Sequence, residues 1–399
     1  MKLWRKRVYA DAAGATPLSS RARAELIRLL ELSGNPSALH KEGMEAKREL
    51  DHARESVAQT IGAHADEIIF TSGGTEANNL AIFGSLRRAL REGEKVHAIT
   101  SAIEHSSVLE PLRALAKEGI ELTELSVDAE GVVNRRELRD AITPHTKLVS
   151  IQMINSEIGT IQNIKELARE IRHARSERAP NAARESSKIL FHTDASQAPL
   201  WLAIRVEKLG VDMLTLDAQK IMGPKGVGLL FVRRGIELTP LIYGGGQERG
   251  SRSGTENVPL IGALAVALKE AQEKAIERSE HTFNVRSIAL NEIKTRIPDA
   301  HVNGPIGEMR APYNLHISIP DLDGDMAVIA LDREGVAAST RSACDSNAEA
   351  PSHVLEAIRA PYPKNSIRIT FLPEATEKDA LDLAKNLEEI TRRYRRRKS

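Results

Sequence analysis

One cysteine, Cys344, stands among 399 residues. That excludes an intrachain disulfide framework, and a single thiol does not build a cysteine-type zinc site. Aromatic residues make up only 3%, too few for the stacking platforms that grip single-stranded nucleic acid. Neither sign of charge is in excess. Lys+Arg 56 against Asp+Glu 55 leaves +1, so binding to a polyanion is not the default expectation. Long apolar runs are missing as well: the stretch from Pro259 to Leu268 is too short to span a bilayer and is closed by Lys269 and Glu270. The basic start, Met1 to Arg7, is not followed by the apolar core of a signal peptide. These absences lead to the expectation of a cytoplasmic protein with no membrane contact and no direct nucleic-acid contact. What is present, 41% hydrophobic and 28% charged residues, suits a globular chain of roughly two to three domains with a sizeable core.

Short β-branched runs alternate with longer segments of helical period. Strands are expected at Ile68–Thr71, Val96–Thr100, Leu148–Ile154, Ile189–Thr193, Met213–Leu216 and Gly228–Val232. Helices are expected at Arg21–Leu32, Glu42–Ile61, Glu76–Leu90, Ser107–Lys117, Ile164–Arg175 and Val258–Lys274. Such alternation implies an α/β fold with a parallel sheet covered on both faces, whose ligands sit beyond the carboxyl ends of the strands. After about Leu260 the pattern changes. A long helix through Ser279, another around Asn284–Arg296, strand-like Leu315–Ile319 and Ile367–Thr370, and a last helix Glu377–Tyr394 read as a smaller α+β domain. Ser176–Lys188 reads as a surface loop, and the basic tail Arg392–Lys398 as a solvated helix end.

Five constellations carry candidate chemistry. Thr71-Ser72-Gly73-Gly74-Thr75-Glu76 lies between a strand and a helix, where glycines let backbone N–H groups approach an anion. Alone, it would equally be a capped turn. Asp194 closes a buried strand, a costly place for a carboxylate without a cationic or N–H partner. Lys220 follows another strand and precedes Gly223-Pro224-Lys225-Gly226; a lysine so placed can act as an amine nucleophile. A strand-end carboxylate, a strand-end lysine and an anion cradle together match the needs of pyridoxal 5'-phosphate (PLP). His105 follows the strand Val96–Thr100, where an imidazole could lie on a ring and move protons, or simply bond the start of a helix. Cys344 sits among small polar residues, Ser339 to Ser346, with Arg341 favouring its thiolate and Asp345 opposing it.

With these residues in place, the chain resembles the cysteine desulfurases, in the class V aminotransferase group of fold-type I PLP enzymes. The likeness runs from about Tyr9 to Ile390. It rests on Gly34-Asn35-Pro36-Ser37, the cradle, Glu104-His105, Asn155 to Gly159, Asp194 to Gln197, Lys220 with the glycines after it, Arg249 to Thr255, Ser342-Ala343-Cys344 and Ser366-Ile367-Arg368. The resemblance implies a large PLP-binding domain, 16–260, with a mostly parallel seven-stranded sheet. It implies a small α+β domain from 1–15 and 261–399 that carries the cysteine loop. It implies that Lys220 holds PLP through its amine, Asp194 pairs with the ring nitrogen, Gln197 reaches the ring oxygen and His105 stacks on the ring. Gly74, Thr75 and Gln219 would serve the phosphate end, with Thr255 donated by a second subunit of a homodimer. Asn35, Asn155 and Arg368 would bind the L-cysteine substrate. Cys344 would take its sulfur as a persulfide, releasing alanine, and pass it to an iron–sulfur scaffold or a tRNA-thiolation protein. No metal site is expected beyond Cys344 as a transient cluster ligand completed by a partner.

The chain departs from the family pattern at four places. Asp217 and Gln219 stand where Ser-x-His is usual, Ser156 where a second Asn is usual, and Arg341 where a glycine is usual. A carboxylate at 217 beside a phosphate dianion is expected to weaken cofactor binding unless it is paired or turned away. The competing readings are another class V enzyme, such as a selenocysteine lyase or an aminotransferase, and a non-catalytic homologue that serves as a scaffold.

Overall fold

The computed structural model describes residues 7–178, 189–340 and 351–398. The chain runs β1 (Val8–Tyr9), α1 (Ser20–Leu30), α2 (Lys41–Ile61), β2 (Ile68–Thr71), α3 (Gly74–Arg91), β3 (His97–Ser101), α4 (Ser106–Glu118), β4 (Glu121–Leu125), α5 (Arg135–Ala141), β5 (Thr146–Ser150) and α6 (Ile164–Arg178). It continues through β6 (Leu190–Asp194), α7 (Val206–Leu209), β7 (Met213–Asp217), β8 (Gly228–Val232), α8 (Val258–Glu273) and α9 (Ala275–Arg296). Last come β9 (His301–Val302), β10 (Asn314–Ser318), α10 (Gly324–Arg333), β11 (Val336–Ala337), α11 (His353–Ala357), β12 (Ser366–Thr370) and α12 (Glu377–Lys398).

A seven-stranded sheet has the order β2-β8-β7-β6-β5-β3-β4. Only β8 runs against its neighbours. Side chains alternate across a strand, so each strand feeds two cores. Ile68, Phe70, Leu214, Leu216, Leu229 and Phe231 enter one core with α2 and α8. Ile69, Met213, Leu230 and Val232 enter the other with α3 and α4. The sheet is therefore apolar on both faces, as the unbroken hydrophobic runs of its central strands require.

Strand direction places the site. β2 and β7 both run antiparallel to β8, so they run the same way as each other. β7, β6, β5 and β3 are mutually parallel. The carboxyl ends of β2, β3, β6 and β7 thus gather at one edge of the sheet.

A separate core, apart from the two that flank the large sheet, joins Val285, Leu315, Ile317, Leu331, Ile367 and Leu383 with Val8 and Ala10. Its sheet is the antiparallel β12-β10-β9, packed by α9, α10 and α12. Two sequence expectations shift here. The long helix expected through Ser279 breaks at Lys274, between α8 and α9. The whole of α8 as far as Ala271 packs in the large core, so a boundary at 260 falls inside a helix whose apolar face belongs to the large unit. β4 is an edge strand whose sequence, Glu-Leu-Thr-Glu-Leu, is largely solvated; it lacks the apolar run that marks its neighbours.

Candidate active site

Gly73, with φ 155°, turns the chain from β2 into α3, a backbone conformation that a side chain would strain. Gly73, the N-cap, has no side chain to bond that helix start. Gly74 and Thr75 of its first turn line the cleft at the sheet edge, where an anion cradle is expected. A Cβ on Gly228 of β8 would meet the Gly73 backbone at 2.7 Å, so a second glycine lets the cradle sit against the sheet.

The cleft is lined by Gly74, Thr75, His105, Asp194, Gln197, Gln219, Lys220 and Arg368, all anticipated from sequence. Lys220 ends a 3-10 turn that follows β7. Its Nζ donates to the carbonyls of Ala13 (2.8 Å) and Gly14 (2.5 Å), where the chain crosses between the two cores. Gln197 donates to the same Ala13 carbonyl at 3.1 Å and accepts from the Tyr313 hydroxyl at 2.8 Å. Tyr313 is fixed by a stack on Trp201, centroids 4.8 Å apart, and burial raises its phenol pKa.

Asp194, at the end of β6, accepts from Asn78 Nδ2 (2.8 Å) and the Ser196 backbone N–H (2.9 Å). Among the described residues no cation pairs with it. Asn78 Nδ2 also donates to Ser107 Oγ at 2.8 Å, and that oxygen lies 2.7 Å from His105 Nδ1. The imidazole caps α4 by accepting from the Ser107 N–H at 3.1 Å, so the helix-start role and a place on the cleft wall belong to one residue. The chain His105–Ser107–Asn78–Asp194 was not anticipated. Asn78 lies one helical turn beyond Gly74, and that spacing was the available signal.

Arg368 reaches the cleft from β12 of the small sheet, almost wholly buried. It donates to Asp11 Oδ1 (2.9 Å) and, at 3.4 Å, to the Ser156 carbonyl. Asn155 does not line the cleft. Its Oδ1 accepts from the N–H groups of Glu157 and Ile158, and its Nδ2 donates to the Ile103 carbonyl. Turn geometry takes up the amide, and Asn155 lines an adjoining cavity, while the neighbouring Ser156 lines both that cavity and the cleft. Asn35 is exposed outside the cleft, its Oδ1 bonded to the Ser37 N–H. Thr255 is likewise exposed and outside it. The loop before Thr255 is tied to the cradle helix by Arg252 on Glu76 (2.9 Å), and to α2 by the buried pair Arg54–Glu248 (2.6 Å). Cys344 and Arg341 lie outside the described residues.

Under His105, Glu104 is buried. Both its oxygens accept from the Gln152 N–H, at 3.0 and 2.9 Å, and Oε1 accepts from Ser101 Oγ at 2.5 Å. Burial outweighs these donors and lifts its carboxyl to about 8. Burial also pushes His192 down to about 4 and His316 down to about 3. Between its ordinary value and 8, the folded chain keeps a Glu104 proton that the unfolded chain has lost, so stability falls as pH rises. The two histidines act oppositely, and their limb ends near their ordinary value, about 6.5. From pH 6.5 to 8 the histidine contribution fades within about one unit, and Glu104 is the one of the three that lowers stability. Glu104→Gln is therefore expected to flatten the fall in urea midpoint over that range; a parental slope in the variant would contradict the assignment.

The family model for aminotransferase class-V matches residues 8–383. A cysteine desulfurase IscS of Dictyoglomus turgidum is 41% identical over 98% of this chain and 96% of its own. A solved NifS-like protein superposes with TM-score 0.88 at 34% identity, over 97% of this chain and 99% of that one. SspA, solved in complex with cysteine, gives TM-score 0.77 at 34% identity, over 92% of this chain and all of that one.

Proposed function

The chain belongs to the class V aminotransferase family, and from that premise we propose that it is a PLP-dependent cysteine desulfurase. One observation carries the reading: the amine of Lys220 and the carboxylate of Asp194 line a single cleft together with Gly74 and Thr75 of the cradle. Three further features of the cleft suit PLP. Asp194 is half-buried without a cationic partner among the described residues, as a carboxylate awaiting a protonated ring nitrogen would be. Ser196 Oγ is buried and unpartnered beside Gly74. Asn78 Oδ1 is buried and unpartnered on the same wall. Bound there, PLP supplies an electron sink for carbanion character on the substrate.

The chain's own groups then have separate tasks. Lys220 would hold the cofactor through its amine, and that amine would be placed to move protons at the reacting carbon. Asp194 holds a proton on the ring nitrogen, and the Asn78–Ser107 chain fixes the carboxylate and the imidazole of His105 relative to each other. Arg368 presents a planar fork to the substrate carboxylate in exchange for its present contact with Asp11. Cys344 takes the substrate sulfur as a persulfide, leaving alanine, and an iron–sulfur scaffold or tRNA-thiolation protein receives it. Thr255, exposed on a tethered loop, serves the cleft of a second copy in a homodimer. No described helix is long and apolar enough to cross a membrane. Among the described residues no group of three or more His, Cys, Asp or Glu is arranged to hold a metal.

The test is product analysis. L-cysteine with the PLP-loaded protein and a thiol reductant should yield alanine and sulfide in equal amounts. Loss of the amino group from cysteine in place of its sulfur would mark an aminotransferase, and no turnover by loaded protein would reject the desulfurase reading.

A further inference from the structure

The cradle at the start of α3 is already engaged from within the chain. Gly74 N donates to Asp217 Oδ2 at 3.2 Å. The Gln219 side-chain amide donates to the same oxygen at 3.1 Å, and the Gln219 backbone N–H donates to Oδ1 at 3.1 Å. Asp217 is 7% exposed, and no described cation pairs with it. The approach is close: a Cβ on Gly74 would meet Asp217 Oδ2 and Ser196 Oγ, each at 3.2 Å. So the carboxylate has not turned away from the helix start; it uses an N–H that a phosphate would need. The unpartnered Ser196 hydroxyl marks the remaining polar capacity of the seat.

A carboxylate and a phosphate dianion cannot share these donors without strong like-charge repulsion, which partial burial screens poorly. Gln219 does not neutralise Asp217, because an amide carries no charge. An unphosphorylated pyridoxal ring would meet Lys220, Asp194 and His105 without bringing a second anion to the cradle. We propose that Asp217 sets cofactor specificity by occupying the phosphate seat, so that this protein holds PLP weakly for its fold and prefers it little over pyridoxal. The proposal rests on the reading of the cleft as a PLP site.

The experiment is equilibrium titration of the full-length apoprotein with PLP and, separately, with pyridoxal, followed by visible absorption. Parent, Asp217→Ser and Asp217→Asn are compared. Asp217→Asn keeps the side chain's size and removes only its charge, so it carries the test should the serine variant fold poorly. Both variants should tighten PLP by about tenfold or more and move pyridoxal by less than about twofold, raising the preference for PLP about tenfold. An unchanged or lower preference in the variants overturns the proposal, even when every protein binds both aldehydes. A general loosening of the fold would weaken both ligands alike, leave the preference unchanged and count against it. If no version takes up either aldehyde, the cofactor reading itself fails and this proposal with it.

Discussion

Lys220→Ala is expected to leave a folded protein that stays colourless with PLP and turns over cysteine roughly a thousandfold more slowly, or less. Among the described residues the lysine is the one amine on the cleft wall. Its Nζ is held by two main-chain carbonyls, Ala13 and Gly14, at the crossing between the cores. Those bonds hold the amine on the wall of the cleft that Asp194 and the cradle also line. Truncation removes the anchoring nucleophile and leaves the apolar core untouched, because Lys220 is only half-buried. Circular dichroism should thus match the parent while visible absorption is lost. Parental colour and parental turnover in Lys220→Ala would contradict the role.

Cys344→Ser is expected to separate cofactor binding from sulfur transfer. The variant should colour with PLP as the parent does, yet release alanine from cysteine roughly a hundredfold more slowly. Sulfur is a far better nucleophile than a hydroxyl near neutral pH, because a thiol is partly ionised there and a serine is not. The chain has no other cysteine to substitute for it. The parent, treated with cysteine and then with a thiol-trapping reagent, should carry one additional sulfur atom on Cys344; the variant should carry none. Alanine formation at the parental rate in Cys344→Ser would remove the persulfide step from the account.

The elements most legible in the sequence were those whose physics is local. Ile68–Thr71 and Gly228–Val232 have the expected bounds because each is a short apolar run buried on both faces. β4 was invisible because Glu121 and Glu124 stand on opposite faces of the strand and leave no apolar run to read. The break at Lys274 carries no proline or glycine. It is set by which of two cores each half of the helical stretch packs on, a tertiary choice.

The cleft follows the same division. Lys220, Asp194 and the cradle could be named because strand ends in a parallel sheet converge, and each bears a residue type that is costly or special there. Asn78 and Ser107 were harder: the spacing from Gly74 puts Asn78 on the cradle side of its helix, but a polar residue on a helix gives no sign of its bonding partner. Asn155 lines only the adjoining cavity and Ser156 lines both it and the cleft, a difference of one position in a turn. Asp217 was conspicuous as a departure, but its direction is decided by the turn Ala218–Lys220, which caps itself on that carboxylate.

The central claim is that Lys220 is the amine that holds PLP. Reduction of the PLP-loaded protein with sodium borohydride fixes the cofactor to whichever amine carries it, and proteolysis with mass spectrometry locates the adduct. The account predicts one pyridoxyl group per chain, on the peptide containing Lys220. A label on Lys225 or another lysine, or no label on visibly loaded protein, would contradict it.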